Sequence, residues 1–128
     1  MNAELQPIER RREKGRVAYL GGQAAEDQVA DHYDRRGIRV GARRWRGKGG
    51  EIDLVARDGD EIVFVEVKRA RHHAWAAERV NAAKIGRIMR AAGDYVARHH
   101  PEGEPFMRFD VALVDGQGRV EVVENAFP

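Results

Sequence analysis

The chain has 128 residues, of which 42% are hydrophobic and 34% are charged, and its formal net charge is +2. These proportions are typical of one globular domain with a charged surface, and they argue against wholesale disorder. The absence of cysteine excludes disulfide scaffolds, thiolate metal sites and thiol nucleophiles. No apolar run is long enough to cross a bilayer, so we expect a cytoplasmic protein that does not bind membranes.

Charge is distributed unevenly along the chain. Residues 1–16 are predicted to be a charged N-terminal arm, and residues 17–128 a single domain. Seven Lys or Arg and no acidic residue lie between Arg35 and Lys48, whereas residues 101–128 carry 2 basic and 6 acidic side chains. A basic surface of this kind is typical of proteins that bind a phosphate backbone, although proteins that bind nothing also carry one.

The hydrophobic pattern predicts seven elements, in the order helix, three strands, helix and two strands. The predicted helices cover residues 17–36 and 74–98, and the predicted strands cover residues 38–45, 51–57, 61–68, 106–114 and 119–123. Gly37 follows the first helix, as a glycine C-cap would. The long second helix allows a crossover to a parallel neighbouring strand. The predicted fold is therefore α/β with a mixed central sheet.

The second and third strands are predicted to form a hairpin through Asp58-Gly59-Asp60. Because side chains alternate between the faces of a strand, one face is predicted to be core and consists of Ile52, Leu54, Ala56, Val63, Val65 and Val67. The opposite face then presents Glu51, Asp53, Glu66 and Lys68, together with the apolar residues Val55, Ile62 and Phe64. Glu26 lies on the apolar stripe of the first helix, so packing of that helix over this face would bring a further carboxylate to the cluster.

Three carboxylates around one lysine indicate a cation site. Like charges at close range repel one another and raise their pKa values unless a cation holds them. Carboxylate oxygens with open positions suit Mg²⁺, and Lys68 would orient a metal-bound water or meet a developing phosphate charge. The pattern therefore favours metal-assisted phosphodiester hydrolysis. Alternating charged and apolar residues are also the ordinary solvent face of a half-buried hairpin, and this interpretation stays open.

The run Gly50-Glu51-Ile52-Asp53-Leu54, followed by Phe64-Val65-Glu66-Val67-Lys68, resembles the YraN family of uncharacterised bacterial proteins. Further similarity lies in Gly22 with Ala25-Glu26, in Lys84, in Arg108-Phe109-Asp110-Val111 and in Asn125-Ala126-Phe127. Nearly the whole chain is covered. The resemblance implies a PD-(D/E)xK nuclease with a restriction-endonuclease-like core, similar to archaeal Holliday-junction resolvases.

The resemblance also implies roles for individual residues. Asp53, Glu66 and Val67 would hold Mg²⁺ or Mn²⁺, Lys68 would be the catalytic lysine, and Glu26 an accessory carboxylate. The expected activity is a metal-dependent endonuclease acting on DNA rather than RNA, with branched or structured DNA as one substrate class. Analogy with junction resolvases also implies that the protein is a homodimer. A nucleic-acid-binding module with little or no turnover and a protein-interaction adaptor are the alternatives.

Basic residues around the hairpin supply the predicted nucleic-acid contacts. These are Arg43, Arg44, Arg46, Lys48, Arg69, Arg71 and Lys84. Trp45 would either stack on bases or pack at the rim of this region. Arg108 and Asp110 share a strand face at the spacing of an internal ion pair, and we interpret them as structural.

Overall fold

The computed structural model describes residues 23–69 and 82–127. The elements are a helix that includes residues 23–34 (α1), the strands Arg39–Gly47 (β1), Gly50–Asp58 (β2) and Glu61–Arg69 (β3), the helix Ala82–His99 (α2), and the strands Phe106–Val114 (β4) and Val120–Val123 (β5). Their order and types confirm the prediction. The charged arm, the first residues of the predicted first helix and residues 74–81 of the predicted second helix lie outside the described residues. Within the described part, no helix is long and apolar enough to span a membrane.

The five strands form one mixed sheet in the order β1-β2-β3-β4-β5. Strand β3 runs parallel to β4, and every other neighbouring pair is antiparallel. Helix α2 lies between β3 and β4 in the chain and provides the crossover that a parallel pair requires. The β2–β3 hairpin closes at Asp58 opposite Glu61, and Gly59 takes the positive φ of 62° that its turn needs. The mixed sheet expected from the sequence is confirmed.

Among the described residues, one helix packs on each face of the sheet. Helix α1 contributes Ala25, Val29 and Tyr33 to one core cluster, which we call the α1-side core. Helix α2 contributes Ile88, Ala91 and Ala92 to the α2-side core. The strand residues of the first cluster include Leu54, Ala56, Val63 and Val65, and those of the second include Val55, Ile62, Phe64 and Phe109. Because both faces of the hairpin are buried, its interpretation as an ordinary solvent-exposed face is wrong.

Two details of the face assignment need correction. Ile52 was expected beside Leu54, but it belongs to the α2-side core. The pairing of β2 with β3 ends at Leu54 opposite Val65, whereas β1 still pairs with β2 at Ile52, so the alternation does not continue across Asp53. The helix over the face that carries Glu66 is α2, because α1 packs on the opposite side of the sheet.

A buried carboxylate in β4 ties the fold together. Asp110 is 0% exposed and accepts a hydrogen bond from the Tyr33 hydroxyl at 2.8 Å. The Arg108 Nε donates to Asp110 Oδ1 at 3.2 Å, and the Asn125 N–H donates to the same oxygen at 3.0 Å. The structural ion pair expected between Arg108 and Asp110 is therefore present. Through Tyr33 and Asn125, the Asp110 carboxylate also joins α1 to the C-terminal segment.

Candidate metal and nucleic-acid site

The candidate site forms where β2 and β3 separate. Beyond the Leu54–Val65 pair, the Val67 N–H donates to Asp53 Oδ2 at 2.8 Å. The Val67 side chain packs against the α1-side core, so Val67 faces the carboxylate with its main chain. A side-chain hydrogen bond thus continues the strand pairing and fixes Asp53 at the point of divergence.

Glu66 lies beside Asp53 and is almost fully buried, with 4% of the residue exposed. Its Oε1 is 2.9 Å from the Lys84 Nζ of α2 and 3.7 Å from the Lys68 Nζ of its own strand. The hydrogen bond to Glu66 is the largest cause that raises the pKa of Lys84, so this lysine is held in its charged form. Two ammonium groups therefore face a single carboxylate oxygen.

Even with both lysines in place, the negative charge at this site is costly. Burial raises the pKa of Asp53 to about 7, and repulsion from Glu66 and, more weakly, from Glu26 adds to the rise. The hydrogen bond from the Val67 N–H acts in the opposite direction. An additional cation between the two carboxylates would relieve this repulsion.

The donor set suits a hard divalent cation. Asp53 and Glu66 offer carboxylate oxygens, and Val67 offers a carbonyl oxygen, since a valine side chain has no donor atom. Within residues 23–69 and 82–127, no three His, Cys, Asp or Glu side chains are grouped so that they could hold a metal ion. A metal at this site would therefore complete its shell with water or a phosphate, which is how Mg²⁺ commonly binds to one or two carboxylates.

Glu26 reaches the same region from α1. The Arg44 Nε donates to Glu26 Oε1 at 3.1 Å and to Oε2 at 3.0 Å. The Glu26 side chain is 13% exposed, and Arg44 adopts a positive φ of 49°, which non-glycine residues seldom do. The structure thus brings Glu26 near the carboxylate pair, as expected, but with both of its oxygens bound to an arginine.

The predicted nucleic-acid contacts separate into groups. Arg43 forms an ion pair with Asp27 of α1, so the first two arginines of the set, Arg43 and Arg44, are both bound to α1 carboxylates. Lys84 belongs to the carboxylate cluster. Arg46 is exposed, with its Nε 4.0 Å from Glu51 Oε1. Glu51 was expected in the carboxylate cluster, but it is exposed and lies beside Arg46 instead. Lys48 and Arg69 are exposed as well, whereas Arg71 lies outside the described residues.

Sequence reasoning missed two exposed cations of α2, Arg87 and Arg90. Together with Lys84 they recur every three residues along the helix, and this spacing would have indicated a shared face. Trp45, in contrast, was assigned two alternatives, and the structure confirms packing at the rim. Its ring meets Tyr95 of α2 edge-on at 5.2 Å, and the Arg98 guanidinium lies 5.7 Å from the ring centre.

In the part of the chain that the structure describes, a mixed five-stranded sheet carries a helix on each face, which agrees with the α/β, restriction-endonuclease-like fold class expected from the sequence. The comparison with known families identifies the group more closely. Residues 25–114 match the family described as uncharacterised protein family UPF0102, and the chain belongs to this family. The resemblance to the YraN family, which is the same group, is therefore confirmed.

Similar proteins carry the same family name over nearly their full length. A UPF0102 protein of Cereibacter sphaeroides (strain ATCC 17029) is 54% identical over 114 residues, which cover 88% of this chain and 97% of that protein. A UPF0102 protein of Ruegeria pomeroyi is 54% identical over 115 residues, covering 89% of this chain and 93% of the relative. A UPF0102 protein of Dinoroseobacter shibae is 43% identical over 123 residues, covering 95% and 92%.

Proposed function

We propose that this protein is a divalent-metal-dependent endonuclease that acts on DNA. The observation that carries the proposal is that a half-buried carboxylate, Asp53, lies beside a buried one, Glu66, where β2 and β3 separate. Such a carboxylate pair is destabilising without a cation, and strongly perturbed carboxylates in a defined position are typical of functional sites. The lysine that follows Glu66 in the same strand provides the cationic group that phosphodiester cleavage needs.

Each residue has a distinct part in the proposal. Asp53, Glu66 and the Val67 carbonyl would hold Mg²⁺ or Mn²⁺, which when bound would act as a Lewis acid and lower the pKa of a water molecule. Lys68 stays within 3.7 Å of Glu66 while 22% of its side chain reaches solvent, so its ammonium is available to a phosphate oxygen. Glu26 would add negative charge beside the metal, and Arg44 would hold it in position.

A nucleic-acid-binding module without turnover is the second candidate. One observation favours it: the Lys84 ammonium already lies 2.9 Å from Glu66 Oε1 and supplies an internal positive charge to the site. A protein with this arrangement would keep the fold and bind DNA without needing a metal. The two candidates therefore differ in whether a divalent cation binds between Asp53 and Glu66.

Calorimetric titration with Mn²⁺ tests the proposal directly. Wild type is expected to bind Mn²⁺, and Asp53→Asn and Glu66→Gln are expected to lose binding, because the remaining oxygens cannot hold a strongly hydrated cation. Asp60→Asn, which changes an exposed carboxylate in the β2–β3 turn, is the matched control and is expected to bind as wild type does. Absence of metal heat in wild type, with and without DNA, would overturn the endonuclease and favour the binding module.

Cleavage is measured on fluorescent DNA with Mn²⁺ present. A linear duplex and a four-way junction distinguish a general endonuclease from one that prefers branched substrates, and a homodimer with two sites would be expected to cut a junction in two strands. Lys68→Ala is expected to keep metal binding and lose cleavage, since its part lies toward phosphate and water. If Lys68→Ala cleaved as wild type does, the role proposed for this lysine would be wrong.

A further inference from the structure

The turn between β1 and β2 packs directly against α2 and forms with it a single cationic surface. A methyl group on Gly49 would lie 2.9 Å from the Arg90 Cβ, and one on Gly50 would lie 3.3 Å from the Arg87 Cβ. Glycine at these positions therefore allows the turn to approach the stems of both arginines. The Lys48 N–H, which donates to Asp94 Oδ2 at 2.9 Å, fastens the same turn to the helix. We call Lys48, Arg87 and Arg90 the α2 ridge.

The α2 ridge carries an excess of positive charge. All three of its residues are exposed. The neighbouring carboxylate, Asp94, has only 15% of its side chain exposed and is already bound to the Lys48 N–H and to Arg98 at 3.4 Å. Arg43 and Arg44 of β1 differ from the ridge in this respect, because they pair with carboxylates of α1.

The ridge also leads to the candidate metal site. Residues 84, 87 and 90 follow one another at intervals of three, which corresponds to about 4.5 Å along a helix axis for each step. The first of them, Lys84, contacts Glu66. A row of cations that ends at a carboxylate pair matches a ligand with regularly spaced negative charges rather than a single anion.

We propose that Lys48, Arg87 and Arg90 bind the phosphate backbone of DNA and guide it to Asp53 and Glu66. This inference rests on the proposed function for the cleavage of the bound strand. DNA binding to the ridge itself requires no metal. The predicted interface thereby moves from the β1 arginines toward α2. Contacts of this kind go to phosphates and not to base edges, so their removal is expected to weaken binding to all DNA sequences alike.

The test uses fluorescence anisotropy with a labelled DNA duplex of about 20 base pairs, in EDTA and over a series of salt concentrations. The ridge double variant Arg87→Ala/Arg90→Ala is compared with Arg39→Ala/Arg57→Ala. Arg39 and Arg57 are exposed and pair with each other at the opposite end of the β1–β2 ladder, so the two variants lose the same net charge. The ridge variant is expected to bind about tenfold more weakly, with a log–log salt slope shallower by about 2, because each lost phosphate contact removes about 0.9. The control variant is expected to stay within about twofold of wild type.

Equal weakening in both double variants would overturn the inference, since binding would then follow net charge alone. Unchanged binding in the ridge variant would overturn it as well. Arg87→Lys/Arg90→Lys keeps the charge and is expected to retain the wild-type salt slope, which separates lost contacts from altered folding. Loss of DNA binding in the ridge variant, together with no calorimetric signal for Mn²⁺ in wild type, would support DNA binding by the α2 ridge and refute the endonuclease. Metal-dependent cleavage by wild type, together with unchanged DNA binding in the ridge variant, would refute the proposed role of the α2 ridge and not the endonuclease.

Discussion

Replacement of Asp53 by asparagine is expected to stabilise the metal-free protein, and to do so only above mildly acidic pH. The pKa of Asp53 is raised from 3.8 to about 7, first by burial and then by repulsion from Glu66. The folded state therefore binds the Asp53 proton more tightly than the unfolded state does. Wild-type stability consequently falls as the pH rises from about 4 to about 7, and asparagine, which carries no charge, removes this loss.

The size of the effect follows from the shift. Three pKa units correspond to about 4 kcal/mol at roughly 1.4 kcal/mol per unit. Water reaches part of the Asp53 side chain and weakens the repulsion, so we expect a gain of about 2 kcal/mol at pH 8 and almost none at pH 4. The asparagine carbonyl can still accept the hydrogen bond that the Val67 N–H now donates to Asp53 at 2.8 Å.

Urea unfolding in EDTA, followed at several pH values between 4 and 8, measures this gain. Asp60→Asn serves as the control, because it makes the same chemical change at an exposed position in the β2–β3 turn. Added Mn²⁺ should then stabilise wild type and leave Asp53→Asn unchanged. A gain that does not vary with pH, or a loss of stability at pH 8, would refute the account of charge repulsion at this site.

Two further variants test the groups around the buried carboxylates. Tyr33→Phe removes the hydroxyl that donates to Asp110 at 2.8 Å, and the free energy of unfolding measured in urea is expected to fall by about 1.5–3 kcal/mol; a loss below about 0.5 kcal/mol would show that the bond contributes little. Lys84→Met removes the ammonium 2.9 Å from Glu66 Oε1. Calorimetry is expected to show Mn²⁺ binding about tenfold tighter, because no internal cation then competes for the carboxylate, and weaker binding would contradict this competition.

The strands could be predicted from the sequence because their patterns are local. Alternation and turn residues placed the β2–β3 hairpin correctly, and the described strands match their expected positions to within about two residues. The same alternation predicted that Asp53 and Glu66 lie close together, and they do so just beyond the paired part of the hairpin. Ile52 was misassigned because alternation applies only while two strands stay in register, and the end of the β2–β3 ladder at Leu54 is set by tertiary packing.

The partners of the individual cations could not be predicted. The pairing of Arg44 with Glu26 joins β1 to α1, and nothing in either segment alone indicates that an arginine of the basic segment would be occupied in this way. The position of Arg87 and Arg90 beside the β1–β2 turn depends on how α2 packs against the sheet. The sequence therefore predicted a basic surface, and the packing of helices decides which of its cations are neutralised by carboxylates.

Within the described residues, Asp110 and the pair of Asp53 and Glu66 allow a comparison of a structural carboxylate with a proposed functional site. Asp110 is fully buried and receives hydrogen bonds from Tyr33, Arg108 and the Asn125 N–H, so its charge is compensated by groups that also hold the fold together. The pair of Asp53 and Glu66 also has cationic neighbours, yet the pKa of Asp53 is still raised to about 7, because burial disfavours its charged form and Glu66 repels it. A fold that compensates one buried carboxylate so fully has no structural need for a second, strained pair at the divergence of two strands. Local conflicts of this kind are expected where a ligand completes the site, and the proposed Mg²⁺ or Mn²⁺ would be such a ligand.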